Sequence, residues 1–217
     1  MQKKTQKIVV TIIIIVISIS LIGSSFYAMF TPEPEQNLEA QRQAALEEEY
    51  QARKEMVVQL TEAVEKNPEN IEAKVVLADA YFDKSIVTGQ LNYEEEQGQD
   101  LQRAIELYQE VLTQKDDNEL MLKLATAAFF QGDTELAEKS YNELLKDDPN
   151  NVDALYGYGL LLFYDKQEYG QAEEKWQEAL RLTTDEQMKK TLEEMIKVAQ
   201  GISTNSGDKE TQKEGSE

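Results

Sequence analysis

Apolar positions follow several patterns along the chain, and the first is an uncharged stretch. Residues 8–30 contain no charged side chain and include an unbroken apolar run from Ile12 to Ile17. As an α-helix, these 23 residues would extend about 34 Å, which exceeds the roughly 30 Å of hydrocarbon in a bilayer. The stretch therefore predicts a transmembrane anchor, and the lysines of residues 1–7 predict a cytoplasmic N-terminus.

The same segment has an alternative interpretation as a cleaved signal peptide, which also starts with basic residues before an apolar core. The apolar core is long for a signal peptide, and no A-x-A cleavage site follows it. Gly23-Ser24-Ser25 is the nearest substitute. An uncleaved anchor is therefore favoured, with the acidic remainder of the chain on the outer side of the cytoplasmic membrane.

Apolar residues at helical spacing begin after the predicted anchor and a short linker. Residues 31–36 include Pro32 and Pro34, and the fixed φ of proline predicts a short, stiff linker. Residues 37–67 contain neither proline nor glycine and place apolar side chains among Glu, Gln, Lys and Arg. This pattern predicts one long helix that becomes amphipathic towards Pro68, where it ends.

A repeated pattern occupies residues 68–201 and is clearest in residues 118–151 and residues 152–184. In both segments, small residues stand where two helices would cross, and a large ring follows four residues after the second of them. The residues concerned are Ala125, Ala137 and Tyr141 in the first segment and Gly159, Ala172 and Trp176 in the second. Helices approach closely only where side chains are small, and a ring can then fill the space towards the next pair.

This pattern resembles the tetratricopeptide repeat (TPR), a helix-turn-helix unit of about 34 residues. The resemblance covers roughly residues 50–200. It implies an all-α solenoid of helical hairpins, with about three repeats and flanking helices. Behind the predicted transmembrane helix, the chain is therefore expected to fold without β-strands.

The first repeat differs from the other two by an insertion. Ala104 follows Ala78 by 26 positions, where the family has about twelve. We expect about two extra turns in each helix around a turn at residues 88–91, and a projecting loop remains the alternative. Asn92 and Glu95 then have the spacing of a capping box at the start of the second helix.

A final helix is expected to cover the apolar end of the solenoid, as repeat stacks require. Thr184 and Gln187 have the spacing of a capping box at its start. Its apolar stripe consists of Met188, Leu192, Met195, Ile196 and Ala199. Gly201 is expected to end it, and residues 202–217, with one apolar side chain, predict a disordered tail.

The composition excludes several classes of catalytic and metal site. The chain has no Cys and no His, which excludes a Ser-His-Asp triad, a Cys-His pair and the usual zinc sites. With 22 basic and 42 acidic residues its net charge is -20, which argues against a nucleic-acid partner. A glycosidase-like carboxylate pair would arise by chance among so many acids, and Asp116-Asp117-Asn118 lacks the EF-hand spacing. We expect no enzymatic activity, no cofactor, no metal and no small-molecule substrate.

The resemblance implies a concave groove lined by the first helix of each repeat. The residues predicted to line it are Glu72, Val75, Asp79, Phe82 and Asp83 in the first repeat, Glu119, Leu122, Thr126, Phe129 and Phe130 in the second, and Asp153, Tyr156, Leu160, Phe163 and Tyr164 in the third. We expect an apolar floor with an acidic edge, which suits a protein or peptide of apolar and basic character. The alternative is that the rings are core residues.

These observations predict a membrane-anchored TPR scaffold that binds a protein or peptide partner on the outer side of the cytoplasmic membrane. Residues 169–200, with Trp176 at the bulky position, also resemble the C-terminal part of TPR proteins of cytochrome c maturation. That resemblance implies presentation of a client for assembly, or a chaperone of exported proteins. The alternative function is a permanent structural subunit of an envelope, secretion or pilus complex.

Overall fold

A computed structural model describes residues 34–211, with side chains described from residue 38 to residue 202. Within residues 34–211 the chain forms eight α-helices and no β-strand. In chain order they are α1 (Pro34–Lys66), α2 (Ile71–Gln90), α3 (Glu94–Leu112), α4 (Asn118–Gln131), α5 (Thr134–Asp147), α6 (Val152–Tyr164), α7 (Tyr169–Leu182) and α8 (Glu186–Thr211). The prediction of an all-α helical-hairpin solenoid is confirmed for this part of the chain.

Contacts divide the chain into two compact units, one ending at Glu49 and the other beginning at Tyr50. In the first unit, the described side chains from Leu38 to Ala45 on α1 are exposed. In the second unit, Val57 on α1 is buried against Leu77 and Ala80 of α2. The later part of α1 is therefore a packed helix of the solenoid.

The helices of the second unit pack as consecutive pairs. Helix α2 packs on α3, α4 on α5 and α6 on α7, and α8 covers α7. The first helix of each pair starts at a side chain that accepts a hydrogen bond from a backbone N–H of the first turn: Asn70 from Ala73 at 3.0 Å, Asp117 from Leu120 at 3.1 Å and Asn151 from Ala154 at 3.0 Å. These polar residues are helix caps at the turns between repeats.

Two glycines of α6 lie against the predicted rings: Gly159, which was predicted at a helix crossing, and Gly157, which was not. A Cβ atom added to Gly159 would clash with the indole of Trp176, and one added to Gly157 would lie 2.5 Å from the Tyr141 hydroxyl oxygen. Tyr141 and Trp176 are themselves almost fully buried. The repeat signature in the sequence is therefore a packing signature, in which glycine makes room for an aromatic ring.

The insertion in the first repeat lengthens both of its helices. Helix α2 has 20 residues and α3 has 19, whereas α4 and α5 have 14 each. The connecting turn lies at residues 91–93, so the predicted turn residues 88–90 are helical. The predicted capping box at Asn92 is wrong: Tyr93 is the N-cap residue of α3 and makes no side-chain cap bond. Asn92 instead adopts a left-handed φ of 59°, which asparagine tolerates better than most residues.

Buried charges join the two long helices. The Lys84 ammonium lies 2.8 Å from Asp100 and 2.8 Å from Glu96, and the Tyr50 hydroxyl donates to Glu96 at 2.9 Å. Asp100 is 3% exposed, and its Oδ2 has no hydrogen-bond partner among the described residues. Burial raises the pKa of the Asp100 carboxyl despite its bond to Lys84.

Helix ends differ from the sequence expectations at three places. Helix α1 begins at Pro34, inside the predicted linker, because proline is tolerated in a first turn. Helix α8 is capped by Asp185, which accepts from the Met188 N–H at 2.7 Å, so the predicted Thr184 cap is wrong. It continues through Gly201 to Thr211, since one glycine inside a helix costs only about 1 kcal/mol.

The predicted transmembrane anchor at residues 8–30 and the cytoplasmic segment at residues 1–7 lie outside the described residues. The end of the predicted tail, residues 212–217, lies outside them too. None of the helices in the described part of the chain combines the length and the apolar character that crossing a bilayer requires.

Candidate peptide-binding surface

Aromatic rings connect the first helices of the first two repeats. The ring centroids of Phe82 on α2 and Phe130 on α4 lie 5.9 Å apart, and those of Phe129 and Phe130 lie 5.7 Å apart. Both pairs meet edge to face, the arrangement that aromatic quadrupoles favour. Phe130 remains 50% exposed, so this ring is available to a partner although its neighbours are half-buried.

The third repeat contributes two adjacent rings with different roles. Tyr164 is 59% exposed, whereas Phe163 is 9% exposed. The Phe163 centroid lies 5.2 Å from that of Tyr169 and 5.6 Å from that of Trp176. Phe163 is therefore a core residue in contact with α7, and its predicted place in an exposed groove is wrong.

Half-buried side chains form the remaining floor of the predicted surface. They are Val75, Leu122, Thr126, Tyr156 and Leu160. The Thr126 hydroxyl is partly used, because it donates to the Leu122 carbonyl oxygen at 2.8 Å. Burial, with a smaller electrostatic contribution from Tyr164, raises the pKa of the Tyr156 phenol.

Acidic members of the predicted edge are partly neutralised within the chain. Asp79 accepts from the Tyr108 hydroxyl at 2.6 Å and pairs with Lys123 at 3.0 Å. Lys123 also pairs with Glu119 at 3.2 Å, and its bonds to these carboxylates raise the Lys123 pKa against the opposing effect of burial. The Tyr108–Asp79–Lys123 link connects three helices, so Asp79 acts as a packing residue as much as a rim residue.

Sequence reasoning missed the basic partners of this edge. Arg53 of α1 pairs with Asp83, and Lys123 lies between Asp79 and Glu119. The Glu119–Lys123 spacing of four residues was a usable signal, because such pairs share a helix face. The remaining two acidic members, Glu72 and Asp153, are exposed and form no ion pair within residues 38–202.

Within residues 38–202, no group of three or more Asp and Glu side chains is arranged to hold a metal ion. The arrangement on α2, α4 and α6 is an apolar surface with charged borders, which is suited to binding a chain segment.

Solved structures of similar architecture include several proteins at low sequence identity. The crystal structure of MamA is 14% identical, with a TM-score of 0.49, and the match covers 70% of this chain and 89% of that one. A tetratricopeptide repeat protein from Parabacteroides merdae is 21% identical, with a TM-score of 0.48, and the match covers 74% and 61%. YrrB, described as a TPR protein with an unusual peptide-binding site, is 15% identical, with a TM-score of 0.37, and the match covers 62% and 97%.

No curated protein matches the chain. A family model does match, over residues 89–216, and describes the middle TPR-like domain of cilia and flagella-associated protein 70. The matched residues start at the end of α2 and continue into the residues beyond α8. Since the match covers more than half of the sequence, the chain belongs to this family of TPR-like domains.

Proposed function

We propose that this chain is a non-enzymatic scaffold that binds a protein or peptide segment of apolar and basic character on the surface formed by α2, α4 and α6. The exposure of Phe130 and Tyr164 carries the proposal. They stand at equivalent positions, 34 residues apart, on the first helices of neighbouring repeats. Rings are the side chains most often responsible for binding energy, because they bury a large area at low entropic cost.

Charge supports the basic character of the partner. The net charge of -20 creates a negative field that accelerates encounter with a basic segment and disfavours an acidic one. Because Asp79, Asp83 and Glu119 already pair with Lys123 or Arg53, this preference operates through the field and through the remaining exposed carboxylates.

Membrane location is the second part of the proposal. Residues 8–30 would hold the scaffold in the cytoplasmic membrane, with the repeats on its outer side, because this segment is uncharged and follows three lysines.

A narrower form of the proposed function is presentation of an apocytochrome helix for assembly, and it rests on the sequence likeness of residues 169–200. Trp176 does not add to it, since burial against Gly159 accounts for this residue.

Site-specific photocrosslinking in cells tests the binding surface. A photoreactive amino acid replaces Phe130 in one variant and Tyr164 in another, and an exposed control position, Glu135 on α5, receives it in a third. The proposal predicts one discrete adduct from the first two positions and none from Glu135. Equal adducts from all three positions, or adducts from Glu135 alone, would overturn it.

The same experiment separates a client from a permanent subunit. A client adduct should decline when synthesis of new protein is blocked, because clients leave the scaffold. An adduct whose amount stays constant would instead identify the chain as a structural subunit of an envelope complex.

A further inference from the structure

A pocket of about 550 Å³ lies where α6 and α8 begin. Its walls come from the first turns of α6, from the connection between α7 and α8, and from the first turns of α8. The lining residues are Val152, Asp153, Tyr156, Thr183, Asp185, Gln187, Met188 and Thr191. Tyr156 belongs both to this pocket and to the half-buried floor of the α2, α4 and α6 surface, so the two share this residue.

The pocket combines an apolar wall with two carboxylates. Val152, Tyr156 and Met188 provide the apolar atoms. Asp153 and Asp185 provide the charge, and neither forms an ion pair with a basic side chain within residues 38–202. This distinguishes the pocket from the other end of the surface, where Asp79 and Glu119 share the charge of Lys123.

Both carboxylates are solvent-exposed and lie at helix starts, Asp153 in the first turn of α6 and Asp185 at the N-cap of α8. Lys189, on the first turn of α8, pairs with Glu186 at 2.6 Å. Asp185 accepts the Met188 N–H at 2.7 Å through Oδ1, and a cap bond of this kind leaves the carboxylate charged. A lysine or arginine side chain is complementary to this lining, because its aliphatic stem can pack on the apolar wall while its charged end faces the carboxylates.

We propose that this pocket receives a lysine or arginine side chain of the bound partner. The stem of that side chain packs on Val152, Tyr156 and Met188, and its charged end lies between Asp153 and Asp185. This inference rests on the proposed function, and it adds a direction to the bound segment. The basic residue lies at the α8 end, and the apolar residues of the partner extend towards Tyr164 and Phe130.

A small probe tests the pocket without knowledge of the partner. The probe is N-acetyl-L-arginine N-methylamide, titrated at millimolar concentrations into the ¹⁵N-labelled full chain. N-acetyl-L-citrulline N-methylamide is the control, because it has nearly the same shape and no charge. We expect amide shifts concentrated in residues 152–156 and 183–191 with the arginine probe, and at least tenfold weaker binding of the citrulline control.

Two matched variants identify the carboxylates. Asp153→Asn with Asp185→Asn removes both charges, and asparagine keeps the helix cap at residue 185. Asp116→Asn with Asp147→Asn changes the net charge equally at exposed positions outside the pocket. We expect the first pair to abolish the localised shifts and the second pair to retain them. Equal loss in both pairs, or shifts that the citrulline control reproduces, would overturn the inference.

The proposed function can survive that failure. If crosslinking from Phe130 and Tyr164 captures a partner while the Asp153 and Asp185 variant binds it unchanged, the surface is functional and the assigned direction is wrong. If neither the crosslinks nor the probe reports binding, both proposals fail.

Discussion

The indole of Trp176 lies against the backbone of Gly159, and its Nε1–H donates to the carbonyl oxygen of Tyr156 at 3.1 Å. The ring is fully buried, so α7 can approach α6 this closely only because residue 159 lacks a side chain. A single contact thus explains both the small and the large member of the repeat signature. It also fixes Tyr156, which lines the proposed basic-residue pocket.

Replacing Gly159 with alanine should destabilise the third repeat. The added methyl group would overlap the rigid indole of Trp176, and overpacking of this kind costs about 1–3 kcal/mol. Urea unfolding followed by circular dichroism measures the loss. Gly170→Ala is the matched control, because its Cβ would meet no atom within 4 Å and alanine is the better helix former by roughly 1 kcal/mol. A Gly159→Ala protein as stable as the Gly170→Ala protein would contradict the packing argument.

The sequence was most informative where packing allows few residue types. Gly159, Ala172 and Trp176 predicted the helix crossing because no larger residue fits at the small positions. The helix caps were less predictable. Thr184 and Asp185 are adjacent and both can cap a helix, and only the observed bond to the Met188 N–H decides for Asp185.

The candidate surface was predictable in position but not in detail. Phe163 and Tyr164 are neighbours on one helix, and a difference of one residue decides which ring faces the core. The pairing of Lys123 with Asp79 links α4 to α2, and contacts between distant segments depend on the relative placement of the helices. The repeat register therefore predicted which residues line the surface. Their exposure and their ion pairs could be known only from the structure.

The buried pair of Lys84 and Asp100 should respond differently to single and double replacement. Lys84→Met leaves the Asp100 carboxyl without its cation at 3% exposure, and breaking a buried pair in this way typically costs about 3–5 kcal/mol. Lys84→Met with Asp100→Leu removes both buried charges, while Glu96 is partly exposed and keeps its bond from the Tyr50 hydroxyl. The double variant should therefore recover most of the lost free energy of unfolding. Denaturant unfolding of all three proteins measures the coupling. A double variant as unstable as Lys84→Met would show that the ion pair itself stabilises the extended hairpin.

Glu138 should make part of the stability depend on pH. Its bond to Lys166 at 2.6 Å holds the pKa of the Glu138 carboxyl below its ordinary value of 4.5. Because the folded pKa is the lower one, this contribution is present above the unfolded pKa and is lost as pH falls through the folded pKa. Glu138→Gln should therefore be less stable than the parent at about pH 7 and equal to it below the folded pKa.

Unfolding measured across that pH range checks the expectation. Glu135→Gln is the control, since Glu135 is exposed on the same helix and forms no ion pair within residues 38–202. If Glu138→Gln remains less stable than the parent by the same free energy of unfolding even below the folded pKa, the effect comes from lost packing and not from the charge.

The adjacent rings Phe163 and Tyr164 provide the sharpest separation of folding from binding. Phe163→Ala removes a buried ring in contact with Tyr169 and Trp176, and such truncations cost about 3–5 kcal/mol. Tyr164→Ala removes a ring that is 59% exposed, so the free energy of unfolding should change by less than about 1 kcal/mol. Combined with Phe130→Ala, it should reduce partner capture at least tenfold while the helical circular-dichroism signal stays unchanged. Capture that survives Tyr164→Ala with Phe130→Ala, in a protein of unchanged helix content, would place the binding surface elsewhere on the solenoid.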